Sequence, residues 1–189
     1  VVSTTPVIAP VDNVAPDLQW EELAKMCGIF PYMDFMHREK FAADEEIQKL
    51  LSGIVDTSKS PLVNANILSE YVYNNFEYKK GVTGIETKVD EILKLKAGVC
   101  QDFAHVLLVM LHMISIPARY VSGYICPKGH ELRGEGATHA WVEAYIPFFG
   151  WLGLDPTNNC IVSDRHVRLA IGRNFSDCTP VKGTYKGSS

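Results

Sequence analysis

Between Lys96 and Tyr120 the chain reads KAGVCQDFAHVLLVMLHMISIPARY, and no other stretch constrains the fold as strongly. Phe103, Ala104, Val106, Leu107, Leu108, Val109, Met110, Leu111, Met113 and Ile114 cover nearly the whole circumference of a helix that Pro117 stops. Such a helix has to be covered on most sides. Its longest apolar run, Val106 to Ile116, is interrupted by His112 and is well short of the ~20 residues that cross a bilayer. The cover must therefore come from the rest of the chain. With 189 residues, 47% of them hydrophobic, one sizeable core can be built but not two independent ones.

The elements available for that core read as helices first and strands afterwards. Residues 1–17 carry three prolines without any period and are expected to form an extended leader or linker. Residues 18–61 read as a helical N-terminal extension, with Asp17 as the expected cap of a short helix through Met26 and an amphipathic helix from Asp44 to Val55. Residues 62–189 form the expected core. Helices are predicted over Leu62–Phe76 and Glu86–Leu95, then the buried one. ARYVSGYIC, THAWVEAYIP and GWLGLDP read as strands, and PKGHELRGEGA as a glycine-rich loop. This order predicts an α+β domain.

A cysteine in the first turn of the buried helix sits where unpaired N–H groups and the helix dipole favour an anion. Cys100 is thus either a small buried hydrophobe or a nucleophile. A nucleophilic thiol needs a proton-transfer partner and a group to orient it. Period-2 alternation in THAWVEAYIP puts His139, Trp141, Glu143 and Tyr145 on one strand face, and in GWLGLDP it puts Trp151, Gly153 and Asp155 on one face. A hairpin turning at Pro147 would set His139 directly opposite Asp155, within reach of an imidazole–carboxylate hydrogen bond. Cys100, His139 and Asp155 are then nucleophile, base and orienter.

The remaining candidates point to structure. Asp102, His105 and His112 form a polar stripe on the buried helix and are expected to hydrogen-bond locally. Cys126 and His130 make a C-x3-H pair, but no second close pair completes a four-ligand zinc site, and no cofactor is expected. Arg119 and Glu143 are expected to pair across neighbouring strands. A net charge of −4 without a Lys/Arg block argues against nucleic acid, and no apolar run argues for a membrane. Five cysteines at irregular wide spacing do not resemble a disulfide framework, so a reducing, cytoplasmic setting is expected.

GVCQDFAH, IPARYVSGY, THAWVEAY, GWLGLDPTNN and DRHVRLAIGRNFSDCTPVKGTYKG, taken together, resemble the transglutaminase-like superfamily, in particular prokaryotic members assigned as cysteine proteases. The resemblance covers about residues 62–187. It implies a papain-like α+β fold in which a buried helix presents Cys100 to a sheet carrying His139 and Asp155. It also implies acyl transfer, with the Cys100 backbone N–H and Tyr78 as oxyanion donors and with Trp141 and Trp151 walling the cleft. Relatives of this type commonly carry a further β-rich N-terminal domain, which residues 1–61 do not resemble.

Three functions follow as expectations. The first is a cysteine protease or amide hydrolase acting on a peptide or protein amide. The second is a protein-glutamine transglutaminase or deamidase that uses the same thioacyl intermediate. The third is a catalytically silent binding module of the same fold. No carboxylate cluster suggests calcium dependence.

Overall fold

The apolar stretch after Cys100 is one helix, α5 (Cys100–Met113), and it is the centre of the molecule. Phe103, Ala104, Val106, Leu107, Met110 and Leu111 are fully buried. Our computed structural model describes residue 10 and residues 12–37, 41–84, 87–126, 132–133 and 138–179. Covering α5 are α1 (Pro16–Met26), α2 (Asp44–Ile54), α3 (Pro61–Asn75) and α4 (Val89–Leu95). Leu23, Ile47 and Leu51 from the N-terminal segment belong to the same hydrophobic cluster as α5.

The helix starts obey local chemistry. α1 begins at Pro16, so Ala15, not Asp17, is its N-cap; proline is preorganised for the first helical position, and Asp17 is left to complement the dipole. Ser60 caps α3 by accepting the Val63 N–H, with Pro61 following it. α4 starts at Val89, later than the spacing predicts; Glu86, where that prediction begins, lies outside the described residues. Asp12, near the end of the expected leader, accepts hydrogen bonds from Gln19 and Ser60, which pins this segment to α1 and α3.

Five strands form an antiparallel sheet on the other side of α5: β3 (Ala118–Ile125), β4 (Thr138–Ile146), β5 (Gly150–Asp155), β6 (Cys160–Ile161) and β7 (His166–Gly172). Their order is β6-β5-β4-β3-β7. A separate parallel pair, β1 (Glu77–Tyr78) and β2 (Ala97–Gly98), sets Tyr78 beside Gly98, just before Cys100. The fold is α+β. Most of the loop expected at 127–137, His130 included, lies outside the described residues.

The β4–β5 register differs from the expected one. Val142 pairs with Leu154 and Ile146 with Gly150, so the hairpin is centred on Phe148 and not on Pro147. The cause is the turn: Pro147 and Phe148 are its central residues, Phe148 takes a positive φ of 64°, and the Phe149 N–H closes it on the Ile146 carbonyl at 3.1 Å. Continued outward, this register sets Asp155 opposite Trp141, leaving it diagonal to His139. Because partners move by two positions, an even number, Asp155 keeps the face of His139.

β7 was not legible as a strand, and it lies at the far edge from β6. Two glycines let the chain from Val162 into β7 pack close against the sheet. A Cβ on Gly153 would lie 2.5 Å from Val162, and one on Gly123 would run into the Val167 carbonyl and the Trp141 ring. The Val162 N–H bonds the Gly153 carbonyl at 2.9 Å.

At the start of α5, the Asp102 carboxylate folds back to accept the Val99 N–H at 2.7 Å and the Thr83 hydroxyl at 2.6 Å. It lies so close to Gly98 that a Cβ there would be 2.5 Å from its oxygen. Gly98→Ala is therefore expected to cost about 1–3 kcal/mol of stability by overpacking. Urea unfolding checks this, and iodoacetamide labelling of Cys100, which the same shift displaces, should slow in parallel.

Candidate active site

Three elements deliver the site. α5 places Cys100 at its first position, where the N–H lies outside the intrahelical ladder. β4 carries His139, and β5 ends on Asp155. His139 Nε2 donates to Asp155 Oδ2 at 2.8 Å, and both side chains have no exposure. Nδ1 of His139 is buried without a hydrogen-bond partner among the described residues. The Cys100 sulfur stands near enough to favour the charged ring yet short of a closed hydrogen bond, and catalytic pairs commonly close only on substrate. Cys100 itself is half-buried, and all five cysteines are free thiols. The structure thus brings Cys100, His139 and Asp155 together.

The electrostatics follow from burial and pairing. Burial opposes charge on His139, but the hydrogen bond to Asp155 and the nearness of Cys100, with the charges of both, outweigh it, raising the imidazole to about 9. Burial likewise opposes charge on Asp155, and hydrogen bonds from His139, His166 and Asn158 overcome it and hold the carboxyl below its usual range. Burial raises the Tyr78 phenol, helped by the charges of Cys100 and Asp155 and opposed by Arg133, so its O–H remains a donor.

Asp155 accepts more than the sequence suggests. Oδ2 takes His139 Nε2, His166 Nε2 at 3.2 Å and Asn158 Nδ2 at 2.8 Å; Oδ1 takes the backbone N–H groups of Thr157 at 2.9 Å and Asn158 at 3.3 Å. His166 Nδ1 accepts the Ser163 N–H at 3.2 Å, which puts the ring hydrogen on Nε2, aimed at Asp155. His166 and Asn158 are members of the candidate site that the sequence reading missed. The Asx turn within DPTNN was a legible signal for Asn158, whereas His166 follows from the crossover and has no local signature.

Other predicted residues sort cleanly. Trp141 is 1% exposed, packed beneath Gly123 and against His139 and His166 at centroid separations of 6.3 and 5.3 Å. It is a support for both rings, not a wall of an open cleft. Trp151 belongs to a separate aromatic cluster with Tyr32, Phe35 and Tyr145, capped by the Arg119 guanidinium at 4.1 Å. Arg119 pairs with Glu143 at 2.7 Å, and Arg168 joins them at 3.0 Å. Asp102 holds the start of α5, His105 accepts the Phe175 N–H at 3.2 Å, and His112 Nε2 donates to the Ala118 carbonyl at 2.9 Å. Tyr78 rests edge-on against Phe103. Among the described residues, the set able to hold a metal is His139, Asp155 and His166, with ligand atoms within 4.8 Å of one another; their mutual hydrogen bonds already account for that proximity. No helix among the described residues is long and apolar enough to cross a membrane.

The pair leaves a signature in stability. The raised His139 imidazole contributes stability that is complete below its ordinary value of 6.5 and is lost as pH rises through about 9. The depressed Asp155 carboxyl contributes stability present above its ordinary 3.8 and lost as pH falls through its lower folded value. Urea unfolding should therefore show a loss between pH 6.5 and 9 that Asp155→Asn flattens, and the His139 resonances should titrate near 9 in the native chain and lower in the variant.

Comparison with known proteins agrees with this architecture. An uncharacterized protein of Mycobacterium leprae is 28% identical over 97% of this chain and 67% of its own length. A protein-glutamine gamma-glutamyltransferase of Pseudomonas aeruginosa is 34% identical over 49% of this chain and 15% of its own. The crystal structure of a "Putative Cysteine Protease from Cytophaga hutchinsonii" superposes with a TM-score of 0.66 at 29% identity, over 79% of this chain and 49% of that one. Residues 48–156, more than half of the chain and the part that holds Cys100, His139 and Asp155, match the family described as the transglutaminase-like superfamily. The chain belongs to the transglutaminase-like superfamily.

Proposed function

We propose that the chain is a thiol-dependent acyl-transfer enzyme that hydrolyses peptide or side-chain amides, as a cysteine protease or amide hydrolase. The observation that carries this reading is the disposition of His139: one ring nitrogen is fixed on a buried carboxylate, and the other is unpartnered beside Cys100 at a helix start.

In this mechanism His139 Nδ1, on an imidazole raised to about 9, already holds the proton given up by the thiol when Cys100 Sγ attacks the amide carbonyl. Asp155 holds Nε2 and favours the resulting imidazolium. The tetrahedral oxyanion is met by the Cys100 backbone N–H, with the Tyr78 hydroxyl as second donor. Collapse returns the proton to the leaving amine and leaves a thioester on Sγ. Water, deprotonated by His139, then releases the acid. The same thioester resolved by an amine gives glutamine-directed transfer, a second reading supported by the name of the Pseudomonas relative.

Cys100→Ala is expected to abolish iodoacetamide-sensitive turnover across peptide and amide libraries, and His139→Ala to lower it by about 10²–10⁴-fold. Turnover that survives Cys100→Ala overturns the reading. Incorporation of a labelled primary amine into a glutamine-containing protein would select transfer over hydrolysis.

A further inference from the structure

Resting on the thiol reading above, we propose that Arg133 is a specificity-determining residue that binds a carboxylate on the acyl donor, so that the site prefers amides flanked by an acidic group. Arg133 is held at the site by its backbone. Its N–H donates to Asn158 Oδ1 at 2.8 Å, and Asn158 Nδ2 donates back to its carbonyl at 3.2 Å. The same Nδ2 donates to Asp155 Oδ2 at 2.8 Å, so one amide side chain ties Arg133 to the carboxylate that orients His139.

The guanidinium then lies over the Tyr73 ring at 4.9 Å and the Tyr78 ring at 6.0 Å. Tyr78 pairs with Gly98, two residues before Cys100, and its phenol responds to the charges of both Cys100 and Arg133. Arg133 and the thiol therefore flank one tyrosine.

The cation is also free to take a ligand. Arg119 and Arg168 pair with Glu143, and Arg173 with Asp177. Arg133 is exposed, has no carboxylate partner among the described residues, and rests on aromatic faces instead. Stacking leaves the edge of the guanidinium, with its fork of N–H donors, open to a carboxylate. In a chain of net charge −4, a guanidinium fixed beside the thiol and unpaired among the described residues favours an anionic group there.

Two alkylating reagents of nearly equal size test this without any assumed substrate. Iodoacetate and iodoacetamide form the same S–C bond at Cys100 with loss of iodide and differ in carrying a carboxylate or a neutral amide. Any bias from His139 is common to all variants compared. Arg133→Gln should lower the iodoacetate-to-iodoacetamide rate ratio at Cys100 about three- to tenfold, as expected for losing one charge several ångströms away at intermediate dielectric. The iodoacetamide rate itself should hold. Arg133→Lys, which keeps the charge, should retain most of the ratio. An equal ratio in the native chain and Arg133→Gln overturns the assignment of Arg133 while leaving the nucleophile intact. A Cys100 inert to both reagents overturns the thiol reading, and this inference with it.

Discussion

The Asp155 carboxylate is the constraint on which the rest of the site depends. An ionised carboxylate with no solvent exposure is costly to bury unless its oxygens are met by donors, and here five donors converge on it. Two come from the backbone of the turn that follows it, one from Asn158, and two from histidines on strands that are not neighbours. Removing the carboxylate's partners one by one would leave the others aimed at a shifting target. The site is therefore positioned by a saturated network, and network members of this kind act together more than their pairwise sum.

That network requires an unusual path for the chain. β6 and β7 lie at opposite edges of the sheet, and the segment between them sets Val162 against Gly153 and brings His166 to Asp155. A side chain at 153 would meet Val162 of this link and one at 123 would meet the Val167 carbonyl of β7 and the Trp141 ring, and both positions are glycine. Past Val162, the chain turns at Ser163 to His166, whose own N–H returns to the Ser163 carbonyl. Trp141 fills the space beneath the two imidazoles and so supports them from one side. The large residue and the two absent side chains are a single packing solution.

Much of this was legible from the sequence, for reasons that can be stated residue by residue. The all-round apolar pattern after Cys100 admits only a central helix, and period-2 alternation put His139 and Asp155 on matching faces. The face survived an error in the register because the turn at Pro147 and Phe148 displaced the pairing by an even number of residues. What was not legible is contact that depends on long-range topology. Nothing local in DRHVRLAIG shows that His166 reaches a residue on β5, and nothing local in THAWVE shows that Trp141 lies sealed below His139. Single-strand alternation fixes a face, but which segments pack against that face is decided by glycines elsewhere in the chain.

Two histidines on one carboxylate oxygen are not redundant. In the proposed mechanism His139 gains and loses a hydrogen at Nδ1, and the strength of its Nε2 bond to Asp155 changes with it. A carboxylate held by that bond alone would loosen at each change. His166 has no such freedom, since the Ser163 N–H occupies its Nδ1 and confines it to a single tautomer. Asn158 and the turn backbone are constant donors in the same sense. The carboxylate is thus anchored by groups that do not change in the proposed reaction, which lets its bond to His139 respond to protonation while its position stays fixed. The same Asn158 amide holds the Arg133 backbone, so the contacts that keep the Asp155 carboxylate in place also fix Arg133.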